Sequence, residues 1–546
     1  VDASTLGGLT IDAMNNNAVF EIDSYRVDQA SGAVSLSSMT LKNGLSTDGG
    51  LVKIADMSNV RFDKTTFEQG VSDNGGAIYN AGKLTLGSGT TISNAQAENG
   101  GAIYNAATGS ITVEGKIGAT SAEIGGAIYN LGSVTLSGAT IDSVSAVDNG
   151  GAVYNAGTLS LVKKTVITNA TTDARGGAIY NEGALSVNNA TFSDNEAGIY
   201  GGAIFNAAGS TSVTNATFAN NSAKLGGAVF TQAPFFATRA SFGGNVSTSA
   251  LQGGKAKGDA LYVENSKATV INSKFAGNGD FAGELAYAIV SNEYSELVLN
   301  FNTIVRNEGG VYAYGTAYVY NNIVGENGVD LDATGAYDVK YNMIEVALNP
   351  LDETNLGVYA PNFQDISGDD WTKWNLRLAE GSLAIDAAGM DYAYYNDLNG
   401  RLREIKSDFA DAIRPNGAAS DLGAYEIDAS KETASTVVTT LLDVEDPRDG
   451  LISLREAVKY AASGNSEATR TVTFSPDLFD SDPEGRWTIQ LTSGEAGDEM
   501  GTIFIDGYVV VTTAYEAQDG TTKYRDIVVD GQGNAPLFVK RGTGEA

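Results

Sequence analysis

Between Gly75 and Phe230 the apolar residues come in short alternating clusters, Ala77-Ile78-Tyr79, then Leu84 and Leu86, then Ile92, parted by Gly, Asn, Ser and Thr. Alternation of this kind is the spacing of a half-buried strand, not of a helix. The arrangement returns with each glycine doublet, at Gly75, Gly100, Gly125, Gly150, Gly176, Gly201 and Gly226, a period of about 25 residues. At ~3.3 Å per residue one period spans roughly 80 Å of extended chain, one lap around a triangular coil of three strands and three turns. The pattern therefore predicts an all-β chain wound as a parallel β-helix.

Equivalent residues of successive coils stack ~4.8 Å apart, so each repeated letter becomes a ladder. Tyr79, Tyr104, Tyr129, Tyr154, Tyr180, Phe205 and Phe230 are expected to form an aromatic column. Asn80, Asn105, Asn130, Asn155, Asn181 and Asn206 are expected beside it as an amide column, each side-chain carbonyl accepting from the next side-chain NH₂. The doublets suit a corner that demands positive φ or close backbone approach. All these positions read as structural.

A second marker recurs near the third strand: Phe192 with Asn195, Phe218 with Asn221, Phe242 with Asn245, and Phe275 with Asn278. Together with the Gly-Gly-Ala-Ile element it resembles the repeats of chlamydial polymorphic outer membrane proteins and related bacterial surface β-helix adhesins, over roughly residues 67 to 280. At Ile92, Ile117, Ile141 and Ile167 the pattern departs, with Ile for Phe and no Asn three residues on. The resemblance implies a right-handed β-helix displayed at a bacterial cell surface and used for adhesion.

From 241 to 360 the period loosens and Tyr-rich strands appear, such as Val311-Tyr312-Ala313-Tyr314 and Ala317-Tyr318-Val319-Tyr320. They read first as interior or lateral stacked aromatics, and second as a platform for sugar rings or protein. The segment 361–428, with Leu383-Ala384-Ile385-Asp386-Ala387 and Asp421-Leu422-Gly423-Ala424-Tyr425-Glu426, is similar to the closing segment of bacterial right-handed β-helix proteins. That similarity implies terminal coils and loops, in which Asp386, Asp397, Arg401 and Asp421 pin loops by hydrogen bonds and salt bridges. A calcium site among Asp386, Asp391 and Asp397 is the alternative, and no other cofactor is expected.

A new unit is expected over 436–546, after residues 1–74 as first coils and 75–240 as regular coils. Ser453 as N-cap and Glu456 three residues on form a capping box, and Leu454, Val458 and Ala461 share one helix face. This Leu-Arg-Glu-Ala helix resembles the cap of bacterial tandem β-helix domains, so the segment is either the start of a second β-helix or a docking tail. Ile527-Val528-Val529-Asp530 leading to Leu537-Phe538 repeats the spacing of Leu9-Thr10-Ile11-Asp12 leading to Val19-Phe20. Complementary ends point to a tandem array or to subunits that meet head to tail, a contact that gives fibres.

Composition narrows the function. With 34 basic and 66 acidic residues the formal charge is −32, which argues against nucleic acid as a partner. The chain has no cysteine and no histidine, which removes disulfides, thiol nucleophiles and the usual general base. No apolar run is long enough for a membrane-spanning helix. The first functional expectation is a non-catalytic extracellular adhesin or structural filament, binding itself and a surface glycan or protein. The second is a carbohydrate-active enzyme of the lyase or hydrolase kind, for which no stacked acidic or mixed cluster is visible between Gly75 and Phe230.

Overall fold

The computed structural model divides into two compact units, residues 1–415 with 419–427, and 416–418 with 428–546. It describes residues 2–4, 8–23, 34–248, 257–280, 286–356, 359, 361–368, 370–379, 381–416 and 419–427. In the second unit it describes 435–441, 452–462, 470–475, 478, 487–490, 503–506, 509–512, 514–516, 522–524, 527–530 and 538–541.

The first unit is a parallel β-solenoid. Strands such as Ile78–Asn80 build a 13-stranded sheet I, Lys83–Leu86 a 13-stranded sheet II and Thr91–Ser93 a 14-stranded sheet III, all parallel. Register is residue on residue: Ile103, Tyr104 and Asn105 lie over Ile78, Tyr79 and Asn80. Because strand side chains alternate, Ile78, Ile103, Ile128 and Val153 face a fully buried core while the tyrosines between them and the asparagines face out. Of these, only the tyrosines lie on the outer face; Asn80, Asn105, Asn130 and Asn155 are fully buried, on the same side as the Ile or Val two residues earlier. Each buried Ile or Val contributes about 1.5–3 kcal/mol, delivered through contacts with the coils on either side.

Three strands per coil proves too few for the regular region. A fourth sheet of eight short strands, from Val71–Asn74 to Val246–Ser247, lies between sheet III and the glycine doublet. Its strands are polar, as in Gln96-Ala97-Glu98-Asn99, and place only small residues inward, so no apolar alternation announces them. Among the described residues the sheet ends at Ser247, and the coils then shorten: equivalent asparagines 302, 322 and 342 are 20 residues apart.

The doublet solves two problems at once. Its first glycine holds positive φ, +69° at Gly75 and +67° at Gly100, while a Cβ on the second, Gly76 or Gly101, would meet a glycine carbonyl of the next coil at 2.2 Å. The corner between sheets III and IV instead uses left-handed non-glycine residues, among them Asn94, Asn169, Asp194 and Asn220.

The described residues of 361–427 add no strand to the long sheets, contrary to the expectation of terminal coils. It forms two short antiparallel pairs, Phe363–Asp365 with Asn375–Leu378 and Tyr394–Asn396 with Leu402–Glu404. Its Leu376, Leu378, Ala384, Leu422 and Ala424 pack on Phe236, Ile271, Phe301, Ile323 and Met343. These coil residues point outward, away from the solenoid core, so an apolar lateral face is covered by the chain folding back along it.

In the second unit parallel pairing recurs, with Trp487–Gln490 on Ile527–Asp530 and Ile503–Asp506 on Phe538–Arg541. Leu537, part of the end-to-end correspondence, lies outside the described residues. The one described α-helix, Leu454–Ala462, closes its capping box: the Ser453 hydroxyl accepts from the Glu456 N–H at 3.2 Å and the Glu456 carboxylate from the Ser453 N–H at 2.9 Å. Leu454, Ala457, Val458 and Ala461 are buried with Val438, Val472 and Phe474.

Candidate functional site

The aromatic column forms on the outer face of sheet I. From Tyr79 to Phe205 successive rings are 4.7–5.3 Å apart with planes within 22°. Tyr79, Tyr104, Tyr129 and Tyr154 are half-buried and edge the surface, whereas Tyr180, Phe205 and Phe230 are buried beneath Arg175, Tyr200 and Leu225. The Tyr154 and Tyr180 hydroxyls both donate to the Glu182 carboxylate. Burial first, and that carboxylate second, push the Tyr154 hydroxyl's pKa up, so it remains a hydrogen-bond donor.

The amide column runs inside. Each NH₂ donates to the next carbonyl, from Asn80 through Asn105, Asn130, Asn155 and Asn181 to Asn206, at 2.7–2.9 Å. Asn206 then donates to the Thr231 hydroxyl, which in turn donates to the Ala233 carbonyl. At the opposite end the Asn80 carbonyl is buried without a partner, because Ile54 occupies the equivalent place one coil earlier.

The Phe-x-x-Asn marker produces a second inner ladder, Asn195, Asn221, Asn245, Asn278, Asn307 and Asn327, which ends on the buried Asp330 carboxylate. A third, Asn302, Asn322, Asn342 and Asn355, has no counterpart among the sequence expectations. The 20-residue spacing of its first three members is the available signal, and it does not match the 25-residue period of the earlier coils.

The Tyr-rich strands face outward, not into the core. Val311, Ala313, Ala317 and Val319 are buried, while Tyr314, Tyr318 and Tyr337 are exposed. Here the aromatic column breaks. Tyr262 stacks on Phe230 at 4.9 Å, but the next positions in register are Val290 and then Tyr312. Beside this missing ring, at the turn from sheet I to sheet II, a cavity of about 470 Å³ opens between Tyr262, Glu264, Val290, Glu293, Tyr294 and Tyr314. The Asn292 amide is fixed there by Asn265 and Ser295.

A shallower hollow of about 630 Å³ runs over sheet IV past Gln96, Glu123, Thr171, Asp173 and Glu196. Where that sheet ends, Asp259 is buried. One carboxylate oxygen accepts from the N–H and hydroxyl of Ser247, and the other has no partner. Desolvation, helped by Glu308 and Asp280, pushes its pKa up to about 7.

The aspartates of 361–428 hold loops. Asp386 accepts from the Ala419 N–H, and Asp397 accepts from the Asn399 and Arg401 N–H groups and pairs with Arg403, not with the Arg401 side chain. Asp421 accepts from the Asp386 and Ile427 N–H groups. Beside it a buried ion pair joins Arg414 to Glu426 at 2.5 Å, with the guanidinium 4.1 Å from the Phe301 ring centre. Asp391 sits in a separate short turn, Met390–Tyr392, and among the described residues no three His, Cys, Asp or Glu side chains are grouped to hold a metal ion. No described helix is long and apolar enough to cross a membrane. No protein-family profile matches the chain, and no curated protein is detectably similar to it.

Proposed function

We propose that this chain is a non-catalytic extracellular protein of a bacterial surface, a repeat unit of a long fibre that is both structural and adhesive. The observation that carries the reading is the residue-on-residue stacking of the long sheets, in which three amide ladders pass from coil to coil and an aromatic column runs from Tyr79 to Tyr262. Such a body is stiff along its axis and presents long lateral faces, the property a surface filament uses.

Assembly is proposed to run head to tail. In the first coil the core residues Ile11, Val19, Phe20 and Ile22 are only partly buried, and Leu9–Asp12 forms the outermost strand of its sheet. A sheet edge of this kind is continued by another parallel coil, whether of the same polypeptide or of a second copy. The strands Ile527–Asp530 and Phe538–Arg541 have the matching spacing. Electron microscopy and sedimentation of the full chain test this: concentration-dependent fibres are expected, lost on deletion of residues 436–546. A chain that stays monomeric with or without that segment overturns the assembly. Incubation with uronic-acid polymers and calcium tests the catalytic alternative, for which unsaturated or reducing ends are the positive result.

A further inference from the structure

We infer that the cavity beside the missing ring is a binding site for an uncharged pyranose ring at the end of a glycan. The inference rests on the adhesive reading above and gives it a site and a ligand class.

The cavity exists because one rung of the column is short. Parallel coils repeat every ~4.8 Å, so Tyr262 and Tyr312 stand two rungs, roughly 9.6 Å, apart with Val290 in register between them, while Tyr287 on the same strand meets the Tyr312 ring at 5.4 Å. At about 470 Å³ the space matches a small-ligand site. Val290 and the edge of Tyr262 are buried and supply an apolar floor, while Tyr294 and Tyr314 are 75% and 46% exposed and leave ring surface uncovered at the mouth. Uncovered aromatic rings at a turn are a platform for the C–H face of a sugar.

The polar groups select among sugars. Glu264 and Glu293 supply carboxylates that accept from ring hydroxyls, and Glu264 is already steadied by the Gln232 amide at 2.6 Å. The Glu293 carboxylate beside Tyr294 raises the pKa of its hydroxyl, which therefore stays a hydrogen-bond donor at the mouth. Among the described residues no lysine or arginine lines the cavity. In a chain of formal charge −32 such a site repels uronic and sialic acids. A quaternary ammonium is disfavoured by geometry, since it needs several ring faces around it, and Tyr262 spends one of its faces on Phe230.

The test is saturation-transfer NMR on the full chain, with methyl β-glucopyranoside and N-acetylglucosamine as probes and glucuronic acid and choline as competitors. Both neutral sugars are expected to bind, with glucuronic acid at least about tenfold weaker. Val290→Tyr restores the missing rung and fills the floor; Tyr294→Ala with Tyr314→Ala removes the platform at exposed positions where the fold tolerates it. Each change is expected to weaken sugar binding about tenfold, and Tyr337→Ala, outside the cavity, to leave it unchanged. Absence of binding by the neutral sugars at millimolar concentration, preference for choline or glucuronic acid, or full binding by both variants overturns the inference. Fibres without sugar binding defeat this site alone, whereas sugar binding accompanied by glycan cleavage defeats the non-catalytic reading and leaves the site standing.

Discussion

At the scale of single residues the amide ladders set the stakes. A buried amide costs little while both its neighbours answer it and much when one is removed. Replacing Asn130 by Leu strips the Asn155 carbonyl of its donor, the Asn105 NH₂ of one acceptor and the Gly132 N–H of its partner. We expect a loss of about 2–3 kcal/mol by urea unfolding. Asn80→Leu should cost about 1 kcal/mol less, because its own carbonyl is already unanswered and disappears with it. Equal losses at the two positions would show that the ladder acts as independent bonds. The buried aspartates carry a pH signature. Burial raises Asp259 to about 7 and Asp330 to about 6, above the unfolded carboxylate near 3.8. The folded state thus binds the extra protons, and the stability they lend is full below about pH 4 and lost as pH rises through these values. Asp259→Asn should raise the thermal midpoint near pH 7.5 and leave it nearly unchanged near pH 4, so the difference between the two proteins isolates this group from the many exposed carboxylates.

Elements were legible to the degree that they repeat an apolar signal. Sheets I, II and III could be placed because an inward Ile, Leu or Val returns in each coil, and the capping box of Ser453 and Glu456 could be placed because both partners are local. Ser453→Ala should cost the second unit about 1 kcal/mol, read as lost helical circular dichroism on heating. Sheet IV is not legible in this way because its inward positions are Ala, Ser or Thr and its outward ones mostly polar or charged, a pattern indistinguishable from a turn. The doublet glycines were recognisable as a corner, but the separate duties of the two glycines appear only when coils are stacked. Gly126→Ala places a carbon 2.2 Å from the Gly151 carbonyl oxygen, whereas at Gly118 the nearest atom is 3.1 Å away. The first should cost about 2–3 kcal/mol or prevent folding of its coil, and the second well under 1 kcal/mol. Comparable midpoints for the two variants would contradict close approach as the reason for the second glycine.

For the whole molecule, charge and assembly act together. A body of formal charge −32 repels its copies at low salt. Head-to-tail contact, if it is made by backbone pairing and apolar burial, should therefore strengthen as salt rises from about 10 to about 150 mM, where the screening length falls to ~8 Å. Fibre length by electron microscopy checks this, and shortening with salt would point to ion pairs at the junction instead.

The sequence by itself determined the coil, its period and which letters stack, because alternation and recurrence are local facts that survive without knowing the fold. It also placed the aspartates of 361–428 as loop pins, although Arg403 rather than Arg401 supplies the side-chain cation to Asp397. Only the tertiary structure decided which side of a strand each column faces, which lateral face is covered, and where a cavity opens. Covering depends on partners such as Asn272 and Ser407, bonded across 135 residues, and no local pattern records so distant a contact. The cavity depends on Val290 lying in register with a column of rings, and register is a property of stacked coils, not of any one of them.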